Sequence, residues 1–290
     1  MTTTIVPDGN LAGARSPIRP RARRDWSVIA AVLAKDLTAI RRAKAVMLPM
    51  IIVPAVVLVG LPAGVGVFAR TKASPDLSGL MEHLPSAIHD RLVGLTPQQQ
   101  LITVVLGYLV APLFLIVPMM VSAALAADTF AGEKERRTLE GLLHLPVDDQ
   151  DLFLAKVLSA FIPATIISWA AFVVFALVVD AIAWPVLHQL LVPTAGWIVL
   201  IGWVTPAVAS LALGIMVRVS ARANTSQAAN QLGGAVIMPL ILLAMGQATG
   251  LLMIDTKWIV CFGAVVWVLA GLLIRGGMRR FRRNDVAALL

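Results

Sequence analysis

Charged residues are scarce in this sequence: Asp, Glu, Lys and Arg make up 14% of 290 residues, against 59% hydrophobic. A soluble domain of this length needs far more charged surface, so the soluble globular class is excluded. Strand-period alternation is also missing, which argues against an outer-membrane barrel. The single cysteine, Cys261, lies inside an apolar block, so no intramolecular disulfide can form and the thiol reads as buried and inert. A secretory signal would put a short apolar stretch near the start of the chain, and the first apolar block opens only at Val46; it reads as a retained anchor. No internal repeat is visible. Although the net charge is +8, no aromatic-basic platform accompanies it, and nucleic acid is not expected as a partner.

What is present is apolarity in long blocks, with a mean hydropathy of +0.86. Six blocks read as transmembrane helices: Val46–Ala69, Leu101–Ala127, Val157–Val179, Gly196–Val217, Ala229–Ile254 and Trp258–Ile274. At about 1.5 Å of rise per residue most can cross about 30 Å of hydrocarbon with length to spare for tilt, and the last is just long enough. The fifth is polar at its outer end, at Gly246, Gln247, Thr249 and Gly250, and a break with a short re-entrant piece is an alternative there. With the N-terminus inside, 20 of the 24 Lys and Arg fall in inner segments and only Arg70, Lys72, Arg91 and Lys257 fall outside. That bias places both termini in the cytoplasm of a multi-pass inner or plasma membrane protein.

The expected fold is all-α and polytopic. Residues 1–22 read as a disordered basic segment, 23–45 as an amphipathic interfacial helix, 46–275 as the six-span region and 276–290 as a basic cytoplasmic tail. Trp26, Ile29, Ala30, Leu33, Leu37 and Ile40 recur at helical spacing opposite Arg24, Lys35 and Arg42, the pattern of a helix lying on membrane lipid. The outer loop 70–100 carries His83 and His89, but six residues apart they do not share a helical face, so no metal site is expected.

The span interiors contain no Asp, Glu, Lys, Arg or His. That argues against a proton-coupled carrier, and no zinc-protease or serine-hydrolase motif supports a membrane hydrolase. Prolines do interrupt the spans: Pro49, Pro54 and Pro62, then Pro112, Pro118, Pro163, Pro206 and Pro239. Ordinary bundle packing accounts for them.

The inner loop 128–156 holds the densest charge. Glu133 and Arg137 stand four apart in the favourable order, and Arg136 with Glu140 in the reverse. Leu139, Leu142 and Leu143 form an apolar edge, Pro146 stops this piece, and Asp148, Asp149 and Asp151 supply a cap and acidic first turn for a restarting helix. This pattern leaves a docking element and a solvated elbow both open.

The run Ala131–Val147, with Glu133, Glu135, Thr138, Leu139, Glu140, Leu142, Leu143 and Pro146 in order after the second span, resembles the cytoplasmic signature of ABC transporter permeases of the ABC-two exporter class. Lys156 near the third span and the Ser220–Pro239 stretch also fit, while the short Thr249–Lys257 segment departs from the larger helical insertion often found there. The resemblance implies a permease subunit that dimerises, as homo- or heterodimer, and binds a separate ABC ATP-binding subunit. ATP and Mg would sit on that partner, since this chain has no phosphate-binding loop. Glu133, Glu135, Arg137, Thr138, Leu139, Glu140, Leu142, Leu143 and Pro146 would then couple to the ATPase mechanically, with no catalytic residue in this chain. A membrane scaffold or assembly protein is the alternative, and a lipid-modifying enzyme a further one. The cargo stays open among sodium, drug, lipid and peptide.

Overall fold

Inside hydrocarbon every backbone N–H and C=O has to find a partner within the protein, and a helix satisfies them within one segment. The computed structural model describes residues 26–42, 48, 52, 54–71, 92–132, 135, 149–220, 223, 225, 227–229, 231–234, 238 and 256–280. The fold is helical throughout these: 92% lie in helix and none in a strand. The segments 1–22 and 281–290, the His83 and His89 region and most of the expected fifth span lie outside the described residues.

Helix α1 is Trp26–Arg42. A π-helical turn π1, Val56–Gly60, leads into α2, Leu61–Thr71. The second apolar block runs as α3 (Pro97–Val104), π2 (Val105–Leu109), α4 (Val110–Phe114), α5 (Ile116–Ala127) and π3 (Asp128–Gly132), interrupted only at Leu115. It starts on a capping box: Gln99 N–H donates to Thr96 Oγ1 (3.4 Å) and Thr96 N–H to Gln99 Oε1 (3.0 Å), with Pro97 at the first helical position. Then come α6 (Asp149–Leu187), α7 (Ala195–Val199), π4 (Leu200–Val204), α8 (Thr205–Ser220) and α9 (Thr256–Arg280). Among the described residues three stretches are long and apolar enough to cross a bilayer: Gln150–Leu187, Ala195–Ser220 and Thr256–Arg279. Helix α6 has 39 residues against the 23 of its apolar block, because apolarity marks only the hydrocarbon, whereas the helix begins in the acidic run at Asp149.

Contacts along the helices fix their directions. Gln99 donates to the Val186 carbonyl (3.0 Å), Phe114 meets Phe172 and Phe130 meets Phe153, so the second block and α6 are antiparallel. Trp169 reaches Ile201, Phe175 packs on Trp197, and Asp180 accepts from the Leu191 and Val192 N–H groups (2.9 and 3.0 Å), so α6 and the α7–α8 stretch are antiparallel too. Helix α9 runs parallel to α8: Gly263 packs against Trp203 and Val204, Gly214 against Leu273, and Gly277 against Val217. One end of the bundle therefore gathers π3, the start of α6 and the C-terminal ends of α8 and α9. Helix α1 docks at that same end, with Ile29 and Val32 buried against Leu154, Ala155 and Leu158 while Trp26 stays exposed.

Helix α8 is the centre, buried at every position from Thr205 to Val217. Small residues there allow close approach, and Ser122 Oγ on α5 donates to the Ala209 carbonyl at 2.6 Å. Helices α6 and α9 are peripheral. Ile166, Trp169, Val173 and Leu177 stand exposed along α6, and Val265, Val268, Leu269 and Leu272 along α9, apolar stripes that fit a lipid surround. Cys261 is exposed on α9 rather than buried, because the bundle core takes the Ile259, Gly263 and Val266 side of that helix.

The prolines shape the spans in a repeated way. A proline ring collides with the carbonyl four residues back and offers no N–H to it. For Pro62 and Pro206 that carbonyl belongs to Leu58 and Gly202, each inside a π turn whose wider bore makes room, and a π turn, Val105–Leu109, stands at the same place in the chain before Pro112. The carbonyls five back, at Gly107 and Ile201, find replacement donors on neighbouring spans: Trp197 Nε1 donates to Gly107 and Trp169 Nε1 to Ile201, both at 3.1 Å. Trp197 sits in a buried aromatic cluster with Phe114, Phe172 and Phe175.

Candidate functional site

The feature with most chemistry is the elbow where π3 and the start of α6 meet. Asp128, Asp151 and Lys156 are buried there, with Lys156 only 3% exposed. Moving an ion out of water costs several kcal/mol unless partners compensate, so charges kept here have to be held in defined positions. Each of the three has a hydrogen-bonding or electrostatic partner. Asp128 Oδ1 lies 2.9 Å from where a β-carbon on Gly132 would sit, so glycine lets the carboxylate fold back over the π turn. Phe130 of π3 packs on Phe153 of α6 at 6.1 Å between ring centroids. Phe153 is itself buried, and its Cζ approaches Gly277 of α9, so the elbow is wedged against the last helix. Ser159 Oγ donates to the Lys156 carbonyl at 2.8 Å.

Of the nine residues expected to couple, Glu135 is described: it is helical, exposed and has an interaction partner. Glu133, Arg137, Thr138, Leu139, Glu140, Leu142, Leu143 and Pro146 lie outside the described residues. The structure instead shows the two feet of the loop, π3 and the first turns of α6, joined by Phe130 and Phe153. Asp128 and its burial were missed from the sequence. The available signal was a carboxylate directly after the second apolar block, which ends at Ala127, and a lysine directly before the third, which begins at Val157. Among the described residues no group of three metal-donor side chains occurs.

Residues 30–260 match the family model described as ABC-2 family transporter protein. The chain belongs to this family. No curated protein and no solved structure matches it. As an ABC-2 type permease it is a membrane transport component of a multi-pass kind. Permeases of this family normally work with an ATP-binding subunit and generally carry no catalytic site of their own. The match includes the whole elbow and the loop 133–148 between its feet.

Proposed function

We propose that this ABC-2 permease is the transmembrane subunit of an ATP-driven exporter, moved by a separate ABC ATP-binding subunit that grips the loop carrying Glu133–Pro146. The observation carrying this reading is the buried elbow: a loop whose two feet are locked together delivers force to two spans at once. A push on the loop moves π3 with the second span and α6 with the third, and Phe153 passes it on to α9. ATP and Mg belong to the partner, and the working unit is a dimer of permease subunits.

Six crossings fit the geometry. Since α8 and α9 run parallel, the end of one and the start of the next lie at opposite ends of the bundle, which supports a fifth crossing between Ser220 and Thr256. The helical run Pro97–Gly132 supplies length for the second crossing. Helix α1, the loop feet and the end of α9 share one face, and the charge bias makes that face cytoplasmic. Docked through Ile29 and Val32 with Trp26 free, α1 is suited to lie in the interface.

The test is co-expression with the ATP-binding-cassette protein encoded beside this gene, followed by co-purification and ATP hydrolysis in vesicles. Glu135→Ala and Glu140→Ala are expected to reduce complex formation or hydrolysis several-fold. If both variants assemble and hydrolyse ATP like the parent, the coupling assignment is wrong. A chain that never captures an ATPase supports the scaffold reading instead.

A further inference from the structure

We propose that Arg218, Arg275 and Arg279 form a site for a phosphate-bearing anion, supplied by the headgroup of an anionic phospholipid. Arg218 lies in the last turn of α8. Its guanidinium rests against Gly276 of α9, on the spot that a β-carbon there would need. Arg275 precedes that glycine, and Arg279 stands four residues beyond Arg275, on the same helical face. All three side chains are exposed, and among the described residues no carboxylate pairs with any of them. Like charges four residues apart on a helix repel, so Arg275 and Arg279, with Arg218 reaching in at Gly276 between them in sequence, favour an anion. Favourable interaction with the helix dipole fades within the last turn, and Arg275 lies five residues before the end of α9.

The position on α9 says which anion. Val268 and Leu272 are exposed along the peripheral face of α9, and the same spacing continues as Arg275 and Arg279. An acyl chain lying on the apolar stripe brings its phosphate to the level where the arginines begin. Guanidinium groups bind phosphate oxygens in bidentate fashion, and three of them with no carboxylate paired to them among the described residues favour a headgroup of net negative charge over a zwitterionic one. Gly276 is the notch that lets Arg218 join from the neighbouring helix. Because α8 and α9 end together, the site does not depend on which face is cytoplasmic.

The experiment is native mass spectrometry of the purified full chain in neutral detergent, titrated with phosphatidylglycerol, cardiolipin or phosphatidylcholine. A parallel arm adds inorganic phosphate as competitor. The parent is expected to bind either anionic lipid roughly tenfold more tightly than phosphatidylcholine. Arg275→Gln with Arg279→Gln should abolish that preference, and Arg282→Gln with Arg283→Gln in the tail should leave it intact. Gly276→Leu keeps every charge but displaces Arg218, and should weaken the preference about threefold; it serves as the second variant if the double substitution fails to fold. The proposal is overturned if the preference survives in both site variants. It is also overturned if the tail variant loses as much as the site variant, or if inorganic phosphate displaces the lipid at equal concentration.

Discussion

Replacing Trp197 by Phe removes one indole N–H and leaves an aromatic ring in the same cluster. The donor serves the Gly107 carbonyl at 3.1 Å, and Pro112, five residues on, has no N–H to replace it. Trp197 is 3% exposed, and the bond it makes to the half-buried Gly107 is itself part-buried. Leaving a buried acceptor unmade costs about 1–3 kcal/mol, and hydrogen bonds between membrane helices are worth on average about 0.6 kcal/mol. The smaller ring also leaves a void worth about 1 kcal/mol against Phe114, Phe172 and Phe175. Trp197→Phe should therefore destabilise by about 2 kcal/mol. Pro112→Ala returns a backbone N–H that can serve Gly107 or Tyr108. In that background the same tryptophan substitution should cost only the void, giving a coupling of about 1 kcal/mol. The assay is SDS-driven unfolding in mixed micelles followed by far-UV circular dichroism, which does not rely on the tryptophan being removed. Sites with no shared interaction add to within about 0.3–0.5 kcal/mol. A coupling inside that range would refute the idea that the indole stands in for the missing proline donor.

Two further outcomes follow from the ends of the bundle. Asp180→Ala removes the acceptor for the Leu191 and Val192 N–H groups and should cost about 2 kcal/mol, whereas Asp180→Asn keeps an amide oxygen and should cost less than half of that, as read by thermal unfolding in detergent. Phe153→Ala should cost about 3 kcal/mol in the same assay and loosen the contact between π3, α6 and α9; protease cleavage within 133–148 should accelerate, and an unchanged cleavage rate would show that the elbow does not depend on this ring.

The apolar blocks placed the spans well where hydrocarbon alone decides. The fourth was read as Gly196–Val217 and its helical stretch is Ala195–Ser220; the sixth was read as Trp258–Ile274 and its helix is Thr256–Arg280. Extensions beyond the apolar core escaped because polar residues at a helix end are compatible with helix and with loop alike. The stripe on α1 was legible from periodicity, but its partner was not. Val32, off that stripe, is buried because α6 happens to stand there, and nothing in a 3.6-residue period announces a helix more than 120 residues away. The exposure of Cys261 was misjudged for the same reason. An apolar block is equally apolar towards lipid and towards core, and only the neighbours of α9 decide between them.

The prolines show the same boundary between local and tertiary information. From sequence, Pro62, Pro112 and Pro206 look no different from Pro163 and Pro185, which α6 carries without a π turn. What separates Pro112 and Pro206 is a tryptophan on another helix, 90 residues from Gly107 in one case and 32 from Ile201 in the other. In lipid a carbonyl freed by proline has to be satisfied within the protein, so at Pro112 and Pro206 the replacement donor also ties a particular neighbouring helix to the span. Trp197 ties the second block to the α7–α8 stretch, and Trp169 ties α6 to it. Both ties fall on the side of the bundle away from the elbow, while the elbow joins the same second block and α6 at their other end. The second block and α6 are thus joined by aromatic rings at the elbow and by Gln99 to the Val186 carbonyl at the other end, with the α7–α8 stretch tied to both by indole donors. On the proposed function, a push on the loop would be carried along the spans past Pro112 and Pro206.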